Sequence, residues 1–112
     1  MDGLNTVLEY LTSVPAWYLA TSVGGQPHVR PFSFAQIQDG KLWFVTARTK
    51  DVWQELLQNQ RFEATSWWPG HGWLILRGRA GLEAGGMLDR VNWRGRARGR
   101  RSCERQSASS RL

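Results

Sequence analysis

Apolar positions along this chain recur in short blocks with two different periods. Within residues 3–13, Leu4, Val7, Leu8 and Leu11 share one side of a helical turn pattern, with Asn5 and Glu9 opposite. That predicts a short amphipathic helix covering one end of a sheet, limited by Pro15. Trp17, Tyr18 and Leu19 give residues 16–22 the propensity of a strand, and Gly24-Gly25-Gln26-Pro27 turns it back. Residues 28–38 read as a long second strand. Pro31 within it removes a ladder donor and marks an edge, a bulge or a turning of the backbone. Asp39-Gly40 is a strong hairpin signal, because a type I′ turn needs positive φ at both central residues. The next strand, residues 41–46, is apolar on both sides at Leu42-Trp43-Phe44-Val45, as expected for one buried on both faces. A helix then runs from Asp51 to about Asn59, with Val52, Trp53, Leu56 and Leu57 inward. Thr49 is its expected cap.

Residues 61–68 and 73–82 flank the turn Pro69-Gly70-His71-Gly72. Leu74 and Leu76 lie on one side of the second of these strands, Trp73, Ile75 and Arg77 on the other. Gly78 and Gly81 mark bends or bulges. Short antiparallel strands punctuated by turns, with two helices, predict a mainly β fold, α+β by count, built as a small barrel or sandwich. Gly85 to Val91 reads as the start of a helix within residues 85–93. The segment 94–112 is basic and poor in core formers, so disorder is expected there.

Charge sharpens this division. The chain of 112 residues carries a formal charge of +6. Residues 1–93 hold eight cations and eight anions, whereas seven arginines face only Glu104 from Arg94 onward. The basic character therefore belongs to the tail. Cys103 is the one cysteine, which excludes an internal disulfide and a cysteine metal cluster and suits a reducing compartment. No apolar run is long enough to span a membrane, and the start lacks the basic-then-apolar pattern of a secretion signal. A cytoplasmic location with no membrane attachment is the expectation.

Candidate chemistry gathers between His28 and Leu57. A helix opening turn offers unpaired N–H groups and partial positive charge. Thr46 and Thr49 add hydroxyls, Lys50 an ammonium, and Arg30 a planar fork of donors from the neighbouring strand. Two readings stand on these residues alone: an anion site, or a helix-capped hairpin with solvated cations. His28 and His71, the only histidines, read as strand-end or turn residues rather than acids or bases. Trp67, Trp68 and Trp73 read as core or subunit-contact residues, with stacking on a partner subunit's ligand as the other role open to them.

The ordered series Trp17-Tyr18-Leu19-Ala20-Thr21, Pro27-His28-Val29-Arg30-Pro31-Phe32, Gly40-Lys41-Leu42-Trp43-Phe44-Val45-Thr46, Thr49-Lys50-Asp51-Val52 and Trp73-Leu74-Ile75-Leu76-Arg77-Gly78-Arg79-Ala80 resembles the pyridoxamine 5′-phosphate oxidase-like, FMN-binding split-barrel family. The resemblance implies a six-stranded antiparallel split β-barrel over residues 1–84, with an N-terminal helix and a helix after the third strand. It implies a homodimer with FMN at the subunit interface. It places Arg30, Ser33, Thr49 and Lys50 on the FMN phosphate, and the backbone of Pro31, Phe32, Val45 and Thr46 along the flavin ring. No catalytic side chain is then required, because the flavin carries the hydride to or from a small substrate. Relatives of this fold that hold F420 or haem give alternative cofactors, and a flavin-binding or storage protein without turnover is a further reading of the function. The Arg and His residues with which specialised members bind pyridoxamine phosphate are not found here, so that activity is not expected. After Ala80 the sequence departs from the family, with an abrupt change resembling a truncated or frameshifted reading frame. A second function class rests on that change: a nucleic-acid-binding module working through the Arg-Gly tail.

Overall fold

A computed structural model describes residues 3–86 and 88–100. In chain order they form α1 (Leu4–Thr12), β1 (Trp17–Val23), β2 (Gln26–Phe32), β3 (Gln36–Gln38), β4 (Lys41–Thr46), α2 (Asp51–Gln58), β5 (Arg61–Trp68), β6 (Gly72–Glu83) and β7 (Asp89–Arg100). The strands make one antiparallel sheet of seven in the order β2-β1-β5-β6-β7-β4-β3. Among the described residues no helix is long and apolar enough to cross a membrane.

Two differences take the five strands read along the sequence to seven, one more than the resemblance implies. The long second strand divides, because residues 33–35 leave the ladder and bury Ala35 before β3 begins. Pro31 then sits where its missing N–H does no harm, on β2, which pairs only with β1 and is an edge. The second difference is β7. Neither a helix at 85–93 nor a disordered segment from 94 onward is found, as far as the described residues reach. Gly85 and Gly86 lie in a bend, and no helix follows them among the described residues. From Asp89 the chain runs as a strand paired to β4 on one side and along its whole length to β6 on the other, from Glu83↔Arg90 to Trp73↔Arg100. A backbone ladder needs no apolar side chain, and Gly95, Ala97 and Gly99 leave room opposite Gly78, Leu76 and Leu74. The rest of the expected tail, 101–112, including Cys103, lies outside the described residues.

The sheet curls on itself without closing. In a flat sheet β2 and β4, five steps apart, would be separated by roughly 24 Å at the usual strand spacing. Instead the rings of Phe32 on β2 and Phe44 on β4 have centroids 4.9 Å apart. Trp17 stacks on Phe32 at 5.1 Å and meets Phe44 edge-on at 5.5 Å, and Phe62 of β5 adds another edge contact to Phe44. Each such aromatic pair contributes about 0.5–1.5 kcal/mol beyond the area it buries. Leu19, Leu74, Leu76, Val91 and Leu56 fill the rest of this interior. Helix α1 lies against β3, β4 and β6, burying Val7, Tyr10 and Leu11, and α2 lies against β1 and β6, burying Val52, Trp53 and Leu56. The Asp39-Gly40 turn has φ of 54° and 72°, as its sequence requires.

Strands β6 and β7 approach most closely where Gly78 faces Gly95. A Cβ on either would collide with backbone of the opposite strand, the carbonyl of Arg94 or of Arg77. Replacing Gly95 by Val is expected to destabilise the protein by about 3 kcal/mol, the upper range for overpacking. The same change at the exposed Gly86, which has open surroundings, should shift the urea midpoint far less. Equal shifts would show that the close approach is not a constraint.

Candidate functional site

The split in the curled sheet lies between two open edges. β2 has no strand on its outer side. β4 is covered by β3 only from Lys41 to Trp43, so the edge from Phe44 to Thr46 is free of a strand partner. The Phe32–Phe44 contact holds these edges together. Pro31 and Ser33 are exposed at one lip, while Val45 and Thr46 are half-buried at the other. Backbone groups of an open edge need hydrogen-bond partners, and a flat polar ring can supply them.

After Thr46 the chain turns through residues 47–50 into α2. Asp89, opposite Thr46 in the ladder, fixes this corner. Its carboxylate accepts from the Arg48 backbone N–H at 2.8 Å and from the Arg48 Nε at 3.3 Å. The Gln54 side-chain amide donates to the Arg48 carbonyl at 3.0 Å. The expected cap is shifted by one residue: Lys50, with extended backbone, occupies the cap position of α2, and no side chain caps the helix. In the first turn the Trp53 N–H donates to the Lys50 carbonyl at 3.2 Å, and the N–H groups before it are left without a side-chain cap. Thr49 and Lys50 are both exposed beside them.

Arg30 is engaged elsewhere. Its Nη1 donates to the Leu19 carbonyl and to Thr21 Oγ1, each at 3.1 Å. Its Nη2 pairs with Glu55 of α2. Thr21, almost wholly buried, donates its hydroxyl proton to the same carboxylate oxygen at 2.6 Å, and His28 Nδ1 lies 3.7 Å from the other oxygen. Burial alone would raise the Glu55 pKa. The Thr21 hydrogen bond and the charge and hydrogen bond of Arg30, with a smaller contribution from His28, outweigh it and hold the carboxyl below its ordinary value. Glu55 and Thr21 were missed by the sequence reading. The available signal was Thr21 itself, a polar residue in phase with the inward-facing Trp17 and Leu19.

The structure thus brings Pro31, Phe32 and Ser33 to one lip of the split, and Val45 and Thr46 to the other. It places Thr49 and Lys50 at the adjoining corner. Arg30 joins the group through α2, with its charge already neutralised by Glu55. Among the described residues no group of His, Cys, Asp and Glu could hold a metal. His71 sits in the β5–β6 turn, its N–H bonded to the Trp68 carbonyl. Trp67 and Trp68 are 57% and 44% exposed.

Comparison with known proteins adds the following. A family profile described as "Pyridoxamine 5'-phosphate oxidase" matches residues 5–109. No curated protein sequence matches. Among solved structures, a NimC/NimA family protein from Clostridium acetobutylicum is similar with a TM-score of 0.76 and 22% identity, over 88% of this chain and 91% of that one. The FAD binding protein from Mycobacterium smegmatis is similar with a TM-score of 0.65 and 18% identity, over 88% and 94%. A FAD-binding protein from Mesorhizobium loti follows at 0.62 and 17%, also over 88% and 94%. At these identities the likeness is one of fold.

The Arg30–Glu55 pair makes a pH prediction. A carboxyl whose folded pKa is depressed contributes stability that is complete above its unfolded value, about 4.3, and is lost as pH falls through the folded value below that. Glu55→Gln should therefore be less stable than the parent at pH 7 by about 1–3 kcal/mol. The difference should shrink in urea melts run from pH 5 downward. A gap independent of pH would mean that the carboxylate charge is not what holds β2 to α2.

Proposed function

The chain belongs to the pyridoxamine 5′-phosphate oxidase family, and from that membership we propose that it binds a flavin in the split between β2 and β4 and works as a flavin-dependent oxidoreductase on a small molecule. The observation that carries this reading is the pair of open backbone edges, Pro31–Ser33 and Phe44–Thr46, meeting beside an uncapped helix start. The description of two structural neighbours as FAD-binding proteins supports a flavin. The short corner with one free ammonium favours the mononucleotide, FMN.

In this arrangement Lys50, the Thr49 hydroxyl and the first N–H groups of α2 hold the phosphate, with Ser33 at the opposite lip. Anions are favoured at such a helix start by its unpaired donors and dipole, and Asp51 in the first turn limits the site's net positive charge. Backbone of Pro31, Phe32, Val45 and Thr46 flanks the ring. Pro31 contributes only an acceptor there, having no N–H. Arg30 acts as a positioning residue, clamping the β2 lip to α2. The bound flavin supplies the hydride chemistry, so no nucleophile is needed from the chain. Phe32, Phe44 and Trp17 behind the lips exclude water from the inner side. The outer face of β1 and β2 exposes Tyr18 and Val29, in line with Pro31 and Ala20, an apolar strip suited to a second copy of the chain. A cytoplasmic homodimer is the form in which we place this activity.

Purified protein should carry or take up FMN and show a flavin absorption spectrum, which distinguishes it from haem or F420 occupancy. Lys50→Ala should weaken FMN about tenfold, the equivalent of about 1.4 kcal/mol, and leave riboflavin affinity unchanged, since only the phosphate contact is lost. Unchanged FMN affinity would remove the phosphate from this corner. A failure of both flavins to bind would overturn the reading.

A further inference from the structure

We propose that the corner leading into α2 is charge-balanced, with Asp89 withholding Arg48 from the cofactor phosphate, so that Lys50 is the one cation left to hold the flavin and the flavin exchanges with solution. This rests on the flavin reading given above and adds how the cofactor is kept: as a carried coenzyme, taken up and released, instead of a resident group. The loop 47–50 brings Arg48 and Lys50 to the corner, and α2 brings Asp51 and Glu55. Two partners reach in from neighbouring strands, Arg30 of β2 onto Glu55 and Asp89 of β7 onto Arg48. With histidine neutral, three cations meet three carboxylates there.

The two arginines are committed and the lysine is not. Asp89 takes Arg48 twice: Oδ2 accepts from the backbone N–H at 2.8 Å, and Nε lies 3.2 Å from Oδ1. The Asp89 side chain is 14% exposed and that of Arg48 60%. A carboxylate so nearly buried needs its partner, because a charge left alone in the interior is costly. A phosphate arriving at the corner therefore has to compete with Asp89 for Arg48. Arg30 is retained in the same way, by Glu55, Thr21 and the Leu19 carbonyl. Lys50 makes no ion pair among the described residues.

Short distances make the balance effective. Glu55 stands one turn beyond Asp51, about 6 Å along the helix axis. That is within the Debye length of about 10 Å at 0.1 M salt, so a phosphate on the first-turn N–H groups feels cations and carboxylates together. Asp51 already sits where the helix dipole favours negative charge, and it repels a second anion there. Attraction comes from Lys50, the Thr49 hydroxyl and the N–H groups, without a net positive field behind them. A flavin lacking the phosphate keeps the ring and backbone contacts and loses little. A corner built to retain a dianion would leave its guanidiniums free, whereas here each is matched by an acid from another element.

The test is titration of the full-length protein with FMN and with riboflavin, read by quenching of flavin fluorescence, at low and high salt. The parent should release its FMN on gel filtration and prefer FMN to riboflavin by no more than about tenfold, the share of Lys50. Asp89→Asn keeps an acceptor for the Arg48 N–H and removes the charge. It should bind FMN about fivefold more tightly, release it more slowly and leave riboflavin affinity unchanged. The gain should fade at high salt. The double variant R48Q/D89N removes a matched pair and should bind FMN as the parent does. Asp89→Asn that binds FMN no better than its parent, a double variant as tight as Asp89→Asn, or FMN that stays with the parent through gel filtration would each overturn the proposal and leave the flavin reading standing. Should Asp89→Asn fail to fold, the parent decides, since a preference for FMN over riboflavin of about a hundredfold would place an arginine on the phosphate beside Lys50. Binding of neither flavin, by parent and variants alike, would overturn the flavin reading and this proposal with it.

Discussion

Everything here depends on the sheet's curl, and the curl depends on four aromatic rings. Trp17, Phe32, Phe44 and Phe62 come from four strands, and their stacked and edge-on contacts draw together two edges that a flat sheet would leave far apart. A ring cluster of this kind is directional as well as apolar. It sets how far the lips can separate as well as excluding water. The β2–β4 split is thus a product of packing in the interior, and its width is controlled from behind.

Charge at the split is arranged economically. The sequence offered two cations, and folding commits one of them. Arg30 is joined to Glu55, Thr21 and a backbone carbonyl, which is the ground for proposing it as a clamp on the β2 lip. Lys50 keeps its charge at the surface. Partial burial explains the division: a guanidinium turned towards the interior needs every donor matched, while an exposed ammonium is well served by water.

The hairpin at Asp39-Gly40, both helices and the strands 61–68 and 73–82 were legible in the sequence because each has a local signal: positive-φ residues, a 3.6-residue period, or glycine- and proline-rich punctuation. The corner and its neighbouring strands were legible as a group for the same reason. What escaped was non-local. Arg30's partner lies 25 residues away, and nothing near Arg30 announces Glu55. β7 escaped because its strand character comes from β6 and β4, not from its own side chains. Val91 and Trp93 are the only large apolar residues in it, and apart from Asp89 and Asn92 the rest is arginine with glycine or alanine. Composition judged that segment on what it could bury, whereas a sheet had already been built for it to complete.

That composition has a consequence for alignment. An alternating arginine and small-residue strand looks the same after sliding by two positions: guanidiniums still outward, glycines still inward. A two-residue slip keeps that facing but brings Ala97 or Trp93 opposite Gly78, where a Cβ would meet backbone, so the glycine pair fixes the register in the outer half of the ladder. The other end of the strand adds two more fixings. Asp89 clasps the Arg48 amide and guanidinium, and Val91 is fully buried. Those residues peg a nearly repetitive ribbon in place, and Asp89 also secures the turn that leads into α2.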